Sequence, residues 1–217
     1  MFHMTDSDYI PQVAVLGSAS GIIGENERKK ARIIGATIAK AGCTLIFGAC
    51  PGLPYEAAKD AKKAGGRVIG FSPASNFKEH VEKYGFPTDA MDSVVFTGFE
   101  RNGRNTVLVR SADAVIIIGG GFGTLNEFSA AIQEKKPIGV LANSGGITRG
   151  LKKIVALSSR PARTEINYLS EPIKLAKKMA AIAKRNANSP PSSALRPRHS
   201  PCRGNKPLSR FGKNHTA

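Results

Sequence analysis

The sequence predicts an α/β protein: a Rossmann-like, doubly wound parallel sheet with helices on both faces. Three observations predict it. Short apolar runs alternate with longer stretches of helical periodicity, each run ends in Gly, Ser or Thr, and most runs are apolar throughout, as strands buried on both faces are. The first run, residues 13–16, ends in Gly17-Ser18-Ala19-Ser20-Gly21. Residues 25–41 then place Ala31, Ile34, Ile38 and Ala41 at helical spacing, with Gly42 where a helix stops. Thr44–Phe47 is a second strand, closed by Gly48-Ala49-Cys50-Pro51-Gly52, and residues 53–64 a second helix with Gly65-Gly66 behind it. Residues 67–71 form a third strand, 93–97 a fourth and 101–112 a helix. Ala114–Ile118 is a strand, 124–134 a helix and Ile138–Leu141 a sixth strand. Helical stretches over 148–157 and 169–185 finish the body. In such sheets ligands bind outside the carboxyl ends of the strands, so the glycine loops after strands one, two and five are the places to look.

Composition bounds the rest. The chain of 217 residues is long enough for one domain plus a tail, and its three cysteines (Cys43, Cys50, Cys202) cannot build a disulfide framework. No stretch approaches the ~20 apolar residues of a membrane span. The opening residues carry two Asp and no apolar core, unlike a secretory signal. The expectation is a cytoplasmic, reducing compartment without membrane contact.

The net charge of +16 is unevenly placed. Residues 1–150 hold 17 Lys+Arg and 14 Asp+Glu, whereas residues 151–217 hold 15 basic and 2 acidic side chains. The basic character belongs to the last third, so it does not mark the folded body as a nucleic-acid binder. The expected domains are a nucleotide-binding body over 1–185 and a disordered basic tail over 186–217. That tail holds five Pro, six Lys+Arg and no acid. It carries no interleaved aromatics and no RNA-binding module, which makes nucleic acid an unfavoured partner.

The strongest chemical signal is Ile118-Gly119-Gly120-Gly121-Phe122-Gly123-Thr124-Leu125-Asn126-Glu127, which follows a buried strand and opens a helix. Glycines let the backbone approach a ligand, and a helix N-terminus carries about half a positive charge, so an anion such as phosphate is favoured there. The loop is neither a Walker loop, for it lacks the Lys, nor a G-x-G-x-x-G dinucleotide fingerprint.

Gly120-Gly121-Phe122-Gly123-Thr124-Leu125-Asn126-Glu127 resembles the P-G-G-x-G-T-x-x-E signature of the Lonely Guy family, long mislabelled as lysine decarboxylases. The family also carries an Arg nine residues before the Asp that opens the signature strand, and here Arg104 precedes Asp113 by that interval. The loop around Gly17-Ser18-Ala19-Ser20 is similar to the family's first phosphate-side loop. The resemblance spans roughly residues 13–141. It departs at Gly119, which replaces the signature Pro, at Arg104-Asn105 in place of Arg-Lys, and in the loop after strand two. Those departures fit a sister branch resembling molybdenum cofactor carrier proteins.

The resemblance implies a phosphoribohydrolase that splits a nucleoside 5′-monophosphate into free base and ribose 5-phosphate. The alternative, implied by the sister branch, is a non-catalytic binder or carrier of a nucleotide or phosphorylated pterin. In the first case Glu127 would act on the oxocarbenium-like centre or the attacking water, and Arg104 would hold phosphate or sugar. Gly17, Ser18, Gly120, Gly121, Gly123 and Thr124 would cradle the phosphate. No cofactor is implied for catalysis, and family precedent suggests a homodimer or higher homo-oligomer.

Plainer readings stand beside these. Thr124-Leu125-Asn126-Glu127 also fits an S/T-x-x-E capping box. Cys50 reads as a small buried hydrophobe or as a reactive thiol. His80 has no second His or Cys at metal spacing, so no metal site is expected. Ala19 sits where a nucleophile elbow needs Ser. Tyr55 and Glu56 are candidates for lining the same cleft.

Overall fold

A computed structural model describes residues 9–21, 23–159 and 161–187. The chain runs β1 (Gln12–Gly17), α1 (Glu25–Lys40), β2 (Thr44–Phe47), α2 (Leu53–Lys63), β3 (Val68–Ser72), α3 (Phe77–Glu82), β4 (Ser93–Phe96) and α4 (Glu100–Ser111). It continues through β5 (Ala114–Ile118), α5 (Phe122–Gln133) and β6 (Ile138–Leu141), a 3-10 turn (Gly146–Arg149), α6 (Leu151–Leu157), β7 (Ile166–Leu169) and α7 (Pro172–Ala187). All seven strands are parallel, in the order β4-β3-β2-β1-β5-β6-β7. The expected α/β, doubly wound sheet is what the chain forms.

Side chains on successive strand residues point to opposite faces, and the core divides accordingly. Val13, Val15, Leu45, Phe47, Ala114, Ile116 and Ile118 pack with α1, α2 and α7. Ala14, Leu16, Ile46, Val115 and Ile117 pack with α4, α5 and α6. β1, β2, β5 and β6 are covered on both faces, which is why they are apolar without alternation. Helices α1 and α2 meet at Gly35, where a Cβ would stand 2.8 Å from the Ala57 Cα.

Four differences separate the structure from the sequence expectations. β7 was not expected: its four residues are only partly buried at the sheet's edge, and the helix expected from residue 169 begins instead at Pro172. α3 is a six-residue helix begun by Asn76, whose side chain accepts from the Glu79 N–H. The stretch 148–157 divides into a 3-10 turn and α6 around Gly150. α7 runs to Ala187, two residues past the expected end of the body. The rest of the basic tail, 188–217, lies outside the described residues.

The strand order reverses at β1, so the crevice between the carboxyl ends of β1 and β5 is the topological switch point where such sheets hold ligands. Gly17 pairs with Ile118, so the two strands end level and their loops lie side by side. Asp113 holds the opposite end of this pair: its Oδ2 accepts from the Gln12 N–H at 2.8 Å and from the Tyr9 hydroxyl at 3.0 Å.

Candidate functional site

A cleft of about 1020 Å³ opens at that crevice. Every expected site residue lines it: Gly17, Ser18, Arg104, Gly120, Gly121, Gly123, Thr124 and Glu127. The loops are locked together by backbone and hydroxyl groups. The Ser18 Oγ accepts from the Gly120 N–H at 2.7 Å, and the Ser18 carbonyl accepts from the Leu53 N–H at 2.8 Å. The loops after β1, β2 and β5 therefore meet at one serine. Gly52 (φ +95°) permits this approach, since a Cβ there would stand 2.6 Å from the Ala19 Cα.

The loop after β6, which the sequence reading passed over, completes the wall. The Ser144 Oγ accepts from the Gly119 N–H at 2.8 Å while donating to the Leu141 carbonyl at 2.6 Å. The Gly120 carbonyl accepts from the Ile147 N–H at 2.8 Å. Asn143, Ser144, Gly145, Gly146 and Arg149 all face the cleft. The signal for them was present: Gly145-Gly146 follows an apolar run as the other glycine loops do. Arg101 at the start of α4 is a second basic residue that the motif did not flag.

α5 begins at Phe122, with Gly121 as its N-cap and no side-chain cap bond. The capping-box reading therefore fails. Thr124 is already the third helical residue and Glu127 the sixth, a turn too deep to reach back to the first amide. The first turn has no acidic residue, so the positive end of the helix dipole faces the cleft without a built-in counter-charge. Phe122 stands 89% exposed at its lip.

Two charged residues lie buried on the cleft floor. Glu127 is 7% exposed and Arg104 6%. Burial pushes the Glu127 carboxyl up to about 7, and the Arg104 guanidinium only partly opposes it. With its amide turned over, the Asn105 nitrogen reaches the Arg101 carbonyl at 3.0 Å and Glu127 Oε1 at 3.2 Å. Arg104 Nε and Nη1 have no hydrogen-bond partner among the described residues. Unpartnered buried donors and a carboxyl able to exchange a proton near pH 7 are what a reacting or binding site shows.

The remaining candidates separate cleanly. Cys50 lines the cleft, but burial pushes its thiol up against the lowering effect of Arg104, so it behaves as a buried hydrophobe. Tyr55 and Glu56 do not line the cleft. Leu53 does; Tyr55, two residues on, is turned about 200° from it around α2, and Glu56 is drawn across to α1. The Tyr55 hydroxyl donates to Asp89, and Glu56 faces Arg32 on α1. His80 is buried, with Nδ1 2.9 Å from the Ser72 Oγ and Nε2 3.2 Å from the Pro87 carbonyl, which is a packing role. Among the described residues no three His, Cys, Asp or Glu side chains cluster to hold a metal, and no helix is long and apolar enough to cross a membrane.

Comparison with known proteins places this geometry. The chain resembles the crystal structure of TM1055, a structural genomics target, at 25% identity and TM-score 0.69, over 79% of this chain and 99% of that one. It resembles the molybdenum cofactor binding protein of Rippkaea orientalis at 28% identity and TM-score 0.66, over 80% and 98%. The molybdenum cofactor carrier protein of Chlamydomonas reinhardtii matches at 27% identity and TM-score 0.62, over 80% and 99%. Residues 10–175, which hold every strand and the whole cleft, match one family model, and the chain belongs to the SLOG cluster4 family.

Proposed function

We propose that the chain binds a nucleoside 5′-monophosphate in this cleft and hydrolyses its base–ribose bond. The observation that carries the reading is the buried Arg104–Glu127 pair beside an α5 N-terminus that lacks a counter-charge. The phosphate would sit on the first N–H groups of α5, where the dipole and the free donors favour an anion. The sugar would then lie over Glu127. Water adds to C1′ as the bond to the base nitrogen breaks, the base leaves with a proton, and ribose 5-phosphate remains. A carboxyl near pH 7 is suited to both ends of that exchange, giving a proton to the base and taking one from the water. Arg104 would hold a sugar hydroxyl or phosphate oxygen through the part of its guanidinium that reaches the cleft.

A second reading has its own observation. Two of the structural relatives bind or carry molybdenum cofactor, and Gly119 stands where the signature has Pro. Here the same cradle would hold a phosphorylated pterin without bond cleavage, and Glu127 would serve recognition.

One experiment separates them. The protein is incubated with adenosine, guanosine, cytidine, uridine and inosine 5′-monophosphates, free base is followed by chromatography, and small molecules that co-purify are identified by mass spectrometry. Release of free base that disappears in Glu127→Gln supports hydrolysis. A bound phosphorylated pterin with no base release from any monophosphate overturns it in favour of carriage.

A further inference from the structure

At the carboxyl end of β2 the chain has no room for a side chain, and the obstacle is a single residue from a distant helix. A Cβ on Gly48 would overlap Arg104 Nη1, stand 2.7 Å from Cζ and 3.0 Å from Nη2. No other atom comes closer than these three. Gly48 is not among the glycines with positive φ, so its backbone is one that alanine adopts without strain. The nearest obstacle to a side chain here is therefore the guanidinium, and no left-handed turn demands glycine.

Arg104 is held there with few of the bonds that usually hold a buried arginine, the Cys50 thiol being one partner. Nε and Nη1 lack partners, and Glu127 supplies an opposing charge. Burying such donors unpaired costs stability, so the side chain would leave this place if another were open. Glycine at 48 leaves this place open: the guanidinium fills the space that a side chain on residue 48 would occupy.

We propose that Gly48 is the positioning residue for Arg104, holding its guanidinium under the cleft floor opposite Glu127. The inference rests on the reading above in one respect, that Arg104 touches the bound ligand. It goes beyond that reading by placing a determinant of ligand binding in a loop that the signature motif does not include.

The test is a double-variant cycle on the full chain with Gly48→Ala, Arg104→Ala and the pair, read by melting temperature and by titration with adenosine 5′-monophosphate and inorganic phosphate. In the wild-type background Gly48→Ala lowers the melting temperature and raises the half-saturating monophosphate concentration at least tenfold. In the Arg104→Ala background the same substitution leaves both readings nearly unchanged, because the space is empty. An equal loss of melting temperature in both backgrounds overturns the proposal, for it would place the clash elsewhere. So does a Gly48→Ala protein that binds the monophosphate as the wild type does while Arg104→Ala does not. Should Gly48→Ala alone fail to fold, a double variant that folds supports the proposal and one that does not overturns it. If the melting temperatures couple as expected while Arg104→Ala binds the monophosphate normally, Gly48 still positions Arg104 and it is the ligand role of Arg104 that falls.

Discussion

The chain buries two glutamates to nearly the same depth and treats them in opposite ways. Glu56 on α2 is 5% exposed and Glu127 on α5 is 7% exposed. Glu56 is met by Arg32 Nε at 2.7 Å, Lys59 Nζ at 2.9 Å and Arg28 at 3.5 Å. Burial alone would push its carboxyl up, but Lys59 and Arg32 hold it below the usual carboxylate range. Among the described residues Glu127 has one cation near it, Arg104, and no ion pair, and burial wins, raising it to about 7. Low exposure therefore does not by itself distinguish a structural carboxylate from a reactive one; how deep the carboxyl lies and how many cations come with it do. The contrast also explains why Glu56, adjacent in sequence to a glycine loop, is not part of the site.

The largest expected effect lies on the reactive side. Glu127→Gln lowers base release from a monophosphate by a factor on the order of 10² or more, the scale of a lost acid–base group, while the melting temperature at pH 7 does not fall. Retained base release would reduce Glu127 to a ligand contact and break the contrast.

A second effect follows from its titration. The unfolded carboxyl loses its proton near 4.5 and the folded one near 7, so the folded state holds the extra proton between those values. Stability from this group is thus full below 4.5 and falls as pH rises to 7, by about 3 kcal/mol at roughly 1.4 kcal/mol per pH unit. Melting temperatures of wild type and Glu127→Gln, measured from pH 5 to pH 8, should diverge in favour of the variant as pH rises. A constant difference would mean that Glu127 is ionised in the fold at all these values.

Glu56 carries the opposite sign. Its folded value is lowered, so its contribution is present above about 4.5 and is lost as pH falls below it. Glu56→Gln at pH 7 leaves Arg32 and Lys59 without their acceptor and costs about 1–3 kcal/mol, less than a fully buried pair because both cations are about a third exposed. Urea unfolding reads the loss, and binding of monophosphate should not change. A binding defect would put Glu56 back in the site.

The smallest effect tests the locked loops. Ser144→Ala removes the acceptor of the Gly119 N–H and costs about 1 kcal/mol in melting experiments, with weaker phosphate binding. Unchanged phosphate binding would show that the β6 loop is a wall and not part of the cradle.

Much of this was legible before folding. Thr44–Phe47, Ala114–Ile118 and Ile138–Leu141 were marked by residue, because strands covered on both faces are unbroken apolar runs. The glycine-to-helix loop at 119–124 was legible because only glycine permits such close backbone approach. β7 was not, since a short, half-exposed edge strand has no such run to betray it. Nor was the true start of α5: the sequence pattern Thr124-Leu125-Asn126-Glu127 suits a capping box, and only the backbone turn at Gly121 moves the helix start two residues earlier.

Local residue chemistry was enough to determine the strand–loop–helix alternation and the anion-favouring helix start, since each depends on neighbours within a few positions; the candidacy of Arg104 and Glu127 came from the resemblance to the Lonely Guy family. Three things were decided only by the tertiary structure. One is the meeting of Ser18 with Gly120 across 102 residues. Another is the three cations around Glu56, and the last is the place of Arg104 against Gly48. Whether a carboxylate is held ionised or kept near neutrality depends on what folding brings within a few ångströms of it and how much water it removes, and neither quantity exists until the chain has packed.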